Sequence, residues 1–372
     1  MNFRAGSRIW GAALALLFVV ASADAQILIG QTAGFTGPVA DAVKEQTDGA
    51  KLYIDAVNAR GGVNGQRIEL LSVDDKFNPA LSAQNARALA EKGVVALFLS
   101  RGTPNTQAML PVLAEFKLPL VAPSTGAMIF HQPVNPYVFN VRSSYQREAE
   151  RVIQHLALVG VRRIAVVRAD DSFASDADVG AERGFADVNQ KPVLDEKFDR
   201  FKPDFTAIAP KVKLSDPQAI LFICSGSTLA DGAKAFRAAG SSAQIVTLSN
   251  NASSGTIKQM GVNARGTIVS QVFPDERAMA TLLVSEAYQL ALSNKAGPLS
   301  PAMIEGFAGA KVLVEGLRRA GPRPTRERLI AALNSLHKFD IGGMEVSYSP
   351  TDHTGLDFVD LSIVRANGDF MR

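Results

Sequence analysis

Apolar residues run uninterrupted in short stretches along this chain, and segments of a different rhythm separate the stretches. ILIG (27–30), RIELLSV (67–73), VVALFLS (94–100) and LPLVAP (118–123) are rich in Val, Ile and Leu and are bounded by turn residues. Between them, residues 38–59 and 78–93 repeat their apolar positions at spacings of three and four, the period of an amphipathic helix. Continuous apolar strands are those buried on both faces, so the alternation predicts βαβ units around a parallel sheet.

The same alternation starts again after YVFNVRSS (137–144). A helix pattern over 145–160 leads to RIAVVRADD (163–171), a second helix-like stretch, PVLDEKF (192–198), QAILFIC (218–224), another helix and QIVTLS (244–249). Two rounds predict an α/β fold of two doubly wound parallel-sheet lobes, joined near 140–146 by short strand-like connections, since no long linker intervenes. From 275 the text is helical, and the tail LDFVDLSIVRANGDF reads as strands around an Asn-Gly turn.

The first 25 residues follow another logic. Arg4 and Arg8 precede twelve uncharged residues, IWGAALALLFVV, and Ala23-Asp24-Ala25 follows. A basic start, a short apolar run and an A-x-A site make a secretory signal peptide, cleaved to leave Gln26 near the new N-terminus. A membrane span needs about 20 apolar residues, more than this run supplies. The exported chain has one cysteine, Cys224, so it holds no internal disulfide and relies on core burial. Its 372 residues are 47% hydrophobic. A net charge of +3 from 39 basic and 36 acidic side chains, spread without clusters, gives no footprint for nucleic acid.

In open parallel sheets ligands bind beyond the carboxyl ends of the strands. Six such junctions stand out: GQTAGFTGP, SRGTPNTQ, APSTGA, RADDSFASD, ICSGST and LSNNASSG. They describe a cleft of small hydrogen-bonding groups with a few rings. The glycines Gly30, Gly34 and Gly37 do not space as G-x-G-x-x-G, and no P-loop occurs, so no nucleotide cofactor is expected. No G-x-S-x-G elbow is present, and His131, His155, His337 and His353 show no metal-ligand spacing. Cys224 closes an apolar strand and reads as a small buried hydrophobe. Asp74-Asp75 and Asp170-Asp171 end strands, as paired acids or as caps and turn formers. Catalytic and metal sites are absent from this reading; binding groups are not.

FTGPVA, VNARGGVNGQRIELLSVDDKFNP, the block from GTPNTQ to APSTGA, FNVRSSYQREAERVIQHL and the closing VDLSIVRANGDF together resemble type I periplasmic substrate-binding proteins of ABC importers, nearest the branched-chain amino acid (leucine/isoleucine/valine) class. The resemblance runs over essentially the whole chain after residue 26 and rests on the ordered set. It implies two lobes joined by three hinge crossings, near Arg142–Ser144, near Gln271–Phe273 and within 345–358. Residues 26–143 with about 273–350 would form one lobe, and 144–272 with about 351–372 the other. A hydroxyl after the third strand and backbone groups after the fourth hold the ligand carboxylate in the family's amino acid binders. Those positions fall on Thr103 and Ser124. A further hydroxyl position falls on Gly126, a departure that Thr125 compensates. The second lobe's aromatic position falls on Phe173, where a Tyr is common. The family's carboxylate for a ligand ammonium has no counterpart at Ser249, Asn250 and Asn251. Phe35, Phe173 and Phe273 offer apolar walls. Thr103 also reads as the N-cap of a helix opening at Pro104.

The combined expectation is an exported, monomeric, non-enzymatic transport protein of the periplasm. It would take a small carboxylate-bearing molecule, an amino acid or an aromatic or other organic acid, and deliver it to the membrane permease of an ABC importer. A ligand-sensing binding protein for a signalling receptor is the alternative, and an enzyme on a Rossmann-like fold the third. The first test is intact-mass measurement of the exported protein: a start near Gln26 is expected, and retention of residues 1–25 would overturn both the signal peptide and the location.

Overall fold

The computed structural model describes residues 26–371. The signal-peptide reading therefore lies outside the described residues. Five parallel strands make the first lobe's sheet: β1 (Ile27–Ala33), β2 (Ile68–Asp74), β3 (Ala96–Phe98), β4 (Leu120–Val121) and β5 (Val138–Phe139), in the order β2-β1-β3-β4-β5. Helices α1 (Ala40–Ala59), α2 (Pro79–Glu91) and α3 (Thr103–Phe116) connect them. Every residue of β3 is buried, as continuous apolar strands require when helices cover both faces.

The chain then leaves this sheet through Arg142–Ser144 into α4 (Tyr145–Leu158), capped by the Ser144 hydroxyl. The second sheet follows, with β6 (Ile164–Ala169), β7 (Leu194–Phe198), β8 (Ala219–Ile223), β9 (Gln244–Thr247) and β10 (Ile268–Gln271) parallel, and α5 (Ser172–Asp187), α6 (Ile208–Ser215), α7 (Ser227–Ala238) and α8 (Ser254–Met260) between them. All residues of β6 and β8 are buried, whereas β7 alternates and forms the sheet's edge.

After β10 the chain returns to the first lobe. Val272 and Phe273 enter its core, and α9 (Leu282–Ser293), α10 (Pro301–Ala320) and α11 (Arg326–Asn334) pack there. The third passage follows the short hairpin of β11 (Phe339–Asp340) and β12 (Glu345–Val346), where Leu356 N–H donates to the Val141 carbonyl, 3.0 Å. It ends in β13 (Asp360–Val364) and β14 (Phe370–Met371), a hairpin across Asn367-Gly368. Here the expected parallel order breaks: β13 runs antiparallel to β10 and β14 antiparallel to β13. A hairpin connection is too short for a parallel crossover, so the last two strands must alternate in direction.

Close approach of α1 and α10 is what seats the returning helices on the first lobe. A Cβ on Gly306 would lie 1.8 Å from the Gln46 carbonyl oxygen, and one on Gly49 would lie 2.0 Å from that of Met303. Both obstacles are backbone, which cannot rotate away. Gly306→Ala should therefore destabilise the protein by about 1–3 kcal/mol through overpacking. An unchanged denaturant midpoint would show that the helices separate freely.

Candidate ligand-binding cleft

The carboxyl ends of both sets of parallel strands face one another, and their loops touch across the gap. Ser227 N–H donates to the Pro38 carbonyl at 2.9 Å, and the amides of Ser254 and Gly255 reach the Glu45 carboxylate at 3.0 and 2.7 Å. Gln259 Nε2 donates to Asp41 Oδ2 at 2.6 Å, Arg200 Nη2 to Asn105 Oδ1 at 2.8 Å, and Arg101 to the Asn250 carbonyl. These contacts hold the cleft shut. Burial between the lobes pushes the Glu45 carboxyl pKa up, against the hydrogen bonds that favour its charged form.

A small pocket between the lobes is walled by Pro38 and Phe77 of the first. Ala169, Asp171, Phe173, Phe198, Arg200, Ser225 and Thr228 of the second complete it. Its volume is about 20 Å³, room for about one water molecule. A larger guest needs the walls to move. Asp171 and Arg200 are the wall's charged side chains, and they pair at 3.1 Å. Asp171 is also the N-cap of α5, accepting the Ala174 N–H at 2.9 Å, so both of its oxygens are engaged. Of the two readings of Asp170-Asp171, capping describes Asp171.

Thr103 and Thr125 are brought together, both buried, with their hydroxyl oxygens 2.7 Å apart, and neither is on that wall. Thr103 is the first residue of α3 and not its cap. Gly102 holds the N-cap position at φ +90°, and no side chain caps that end. The capping role expected for Thr103 is therefore corrected: Gly102 takes the turn, which leaves the Thr103 hydroxyl free to meet Thr125. Two hydroxyls carry two protons, and their mutual bond uses one. The other proton has no protein acceptor among the described residues.

Ser124 is spent inside the first lobe: its N–H donates to Ser100 O at 2.7 Å, and its Oγ accepts from Gln46 and Arg101. Gly126 has no room for a side chain, because a Cβ would stand 2.6 Å from Ser143 O and 2.8 Å from Tyr145 N. The first crossing packs directly on it. Phe173 lines the cavity and meets Tyr145 edge-on at 4.7 Å. Ser249 braces Arg142, accepting at 2.5 Å, and Asn250 donates to Cys224 O and Ser225 Oγ. Phe35 and Phe273 stand away from the cavity wall. Phe35 packs in a small cluster with Val39, Val43 and Phe77, and Phe273 belongs to the first lobe's core. Cys224 is buried, and burial pushes its thiol pKa well up, as an inert strand end requires.

Three wall residues escaped the sequence reading, Phe77, Phe198 and Arg200. They sit at the end of β7 or in the strand-to-helix junctions after β2 and β7, which the six polar junctions omitted. Applying the strand-end rule to every strand would have found them.

A family model for periplasmic binding proteins matches residues 26–369. The chain belongs to the periplasmic binding protein family. Among curated relatives, the Leu/Ile/Val-binding protein homolog 3 of Brucella melitensis is 24% identical over 89% of each chain. A crystal structure of a substrate-binding periplasmic protein from Ralstonia solanacearum superposes with a TM-score of 0.86 at 32% identity, covering 93% of this chain and 99% of that one. A branched-chain amino acid ABC transporter protein from Thermus thermophilus with bound valine gives 0.81 at 18% identity, over 94% and 95%. The fold is that of the type I periplasmic binding proteins, and the family and these neighbours are substrate-binding proteins rather than enzymes.

Closure can be tested at Gly226, which has φ +60° and ψ −131° and would place a Cβ 1.8 Å from Pro38 O in the opposite lobe. Gly226→Ala should prop the lobes apart while each stays folded. Its radius of gyration by X-ray scattering should exceed the parent's; equal values would mean that these loops do not meet in solution.

Proposed function

We propose that this chain is a periplasmic solute-binding protein that captures a small carboxylate between two hinged lobes and delivers it to the membrane permease of an ABC importer. In this reading residues 26–143 with about 273–350 move as one lobe against the rest, and the ligand shifts the balance between open and closed forms. The observation that carries it is the Thr103–Thr125 pair. Two buried hydroxyls with one unspent proton, at a helix start that no side chain caps, offer donors and positive potential to one carboxylate. Pro104 contributes no N–H, so the amides of Thr103 and Asn105 are the free donors of that first turn.

The ligand lacks a free α-ammonium. Asp171, the acid of the cavity wall, is engaged by Arg200 and by its own helix. Asp176, further along that helix, accepts from Met128 N–H and Gln146 Nε2, both on Oδ1, keeps Oδ2 buried without a partner, and stands off the wall. An ammonium buried here without a carboxylate would cost several kcal/mol. Phe77, Phe173 and Phe198 suit an apolar or aromatic body behind the acid group. Leucine, isoleucine and valine, named for the curated relatives, are the rival class.

A thermal-shift screen of amino acids, aromatic acids and short-chain acids on residues 26–372 should give its largest shifts with acids that carry no α-amino group. Calorimetry then tests the anchor. Thr103→Val should weaken the best acid by about 1–2 kcal/mol, the value of a hydroxyl bond to a charged group, with little change in melting temperature. Micromolar binding of leucine, isoleucine, valine or phenylalanine would overturn the ligand class. Unchanged affinity in the variant would overturn the anchor.

A further inference from the structure

Arg101 lies in the turn between β3 and α3, and it is 2% exposed. Its Nη1 donates to Gln46 Oε1 at 3.3 Å and to Ser124 Oγ at 3.2 Å in its own lobe, and its Nη2 donates to the Asn250 carbonyl of the other. All three acceptors are neutral. Arg142 and Arg168, the other buried arginines among the described residues, each hold an acid: Glu148 for the first, Asp178 and Asp195 for the second. None of the hydrogen bonds of Arg101 goes to a carboxylate among the described residues. Glu305 acts on it only through space, and stands 3.7 Å from Arg142 instead. Burial pushes the Arg101 pKa down, against the pull of Tyr145 and Glu305.

The contact is also unfinished on both sides. A guanidinium has five N–H donors. Three are used, which leaves Nε–H and one Nη2–H without an acceptor among the described residues. Across the gap, Asn250 Oδ1 is buried and has no partner. Hydrogen bonds to neutral groups offset only part of what a buried charge costs, and the rest calls for a counter-ion.

We propose that Arg101 is the charge partner of the guest's acid group, which enters the closing cleft as the counter-ion that this guanidinium lacks. This rests on the reading of the guest as an acid, and not on Thr103 and Thr125 as its anchor. A carboxylate takes two parallel N–H bonds from a guanidinium, the number that Arg101 has left over. Gln46 and Ser124 belong to the first lobe and Asn250 to the second, so shutting the cleft lays the second lobe's loop over the cation. Empty closure strands a charge away from water; closure on an acid pairs it. The acid thereby gains the differential affinity for the closed form that a population shift requires. A guest cation in the same place would be repelled.

Calorimetry on residues 26–372 tests this with 4-methylpentanoate and 3-phenylpropanoate, each against its primary amide, which keeps the shape and removes the charge. In the parent the acid should bind at least about tenfold tighter than its amide, the margin of charged over neutral hydrogen bonds. Arg101→Gln should close that gap, because a side-chain amide serves both guests alike. Thr103→Val should keep the gap, since the charge it senses stays in place. If the Gln variant does not fold, Arg101→Lys decides alone: the gap should persist, and its loss with the cation retained would overturn the inference. A gap that survives Arg101→Gln would overturn it too, and would leave the acid reading standing. Amides that bind as well as the acids in the parent, or acids that do not bind, would overturn both.

Discussion

Arg142 lies on the first crossing with its side chain 2% exposed, donating to the Glu148 carboxylate and to Ser249 Oγ, both in the second lobe. Glu305 on α10, in the first lobe, stands 3.7 Å from its Nη1. Glu148 also accepts from the Ser249 N–H and from the Ser270 hydroxyl, two residues before the second crossing. Burial alone would lower the Arg142 pKa; Tyr145, Glu148 and Glu305 hold it above the ordinary value. Each ion costs several kcal/mol to bury, and losing one partner of such a pair costs about 3–5 kcal/mol. The cluster therefore fixes two crossings and one helix from each lobe against each other.

Away from that cluster, much of the rim between the lobes consists of single hydrogen bonds. Those of Ser227 to Pro38, Gln259 to Asp41 and the amides of Ser254 and Gly255 on Glu45 are worth about 0.5–1.5 kcal/mol each, somewhat more at the carboxylate. Disturbing either sheet would instead mean opening strands such as β6 and β8, buried along their whole length. In the hinged reading proposed above, closure is a movement of two stiff bodies over a weakly bonded rim. A rim of this kind leaves the balance within reach of one small ligand, whose differential affinity need be only a few kcal/mol.

The pattern of apolar positions carried the architecture because burial on both faces writes itself into the strands as continuous runs; β1, β6 and β8 are legible on that ground alone. The site was less legible, and for definite reasons. β7 reads LDEKF, an edge strand with alternating exposure, so its end attracted no attention although Arg200 follows two residues later. Phe77 stands at φ +57°, a backbone twist in the loop after β2 that aims an apolar ring at the cleft where the local text shows only charges. Gly126 looked like a lost hydroxyl. Its reason is steric: the Ser143 carbonyl fills the place of a side chain, a contact made by residues beyond the reach of local pattern.

After β9, where the resemblance places the family's acid, the chain carries Ser249, Asn250 and Asn251. Ser249 and Asn250 were expected to face the ligand in place of the family's acid; Ser249 and Asn251 are engaged by the protein, while Asn250 uses its Nδ2 and keeps Oδ1 buried without a partner. Asn251 alone bonds the Gly226 N–H, the Cys224 carbonyl and Thr247 Oγ1. That loop has become a brace for the second sheet's end and for Arg142. The charge that faces the cavity comes from the opposite edge of the same sheet, as a guanidinium whose carboxylate partner is already paired and capped.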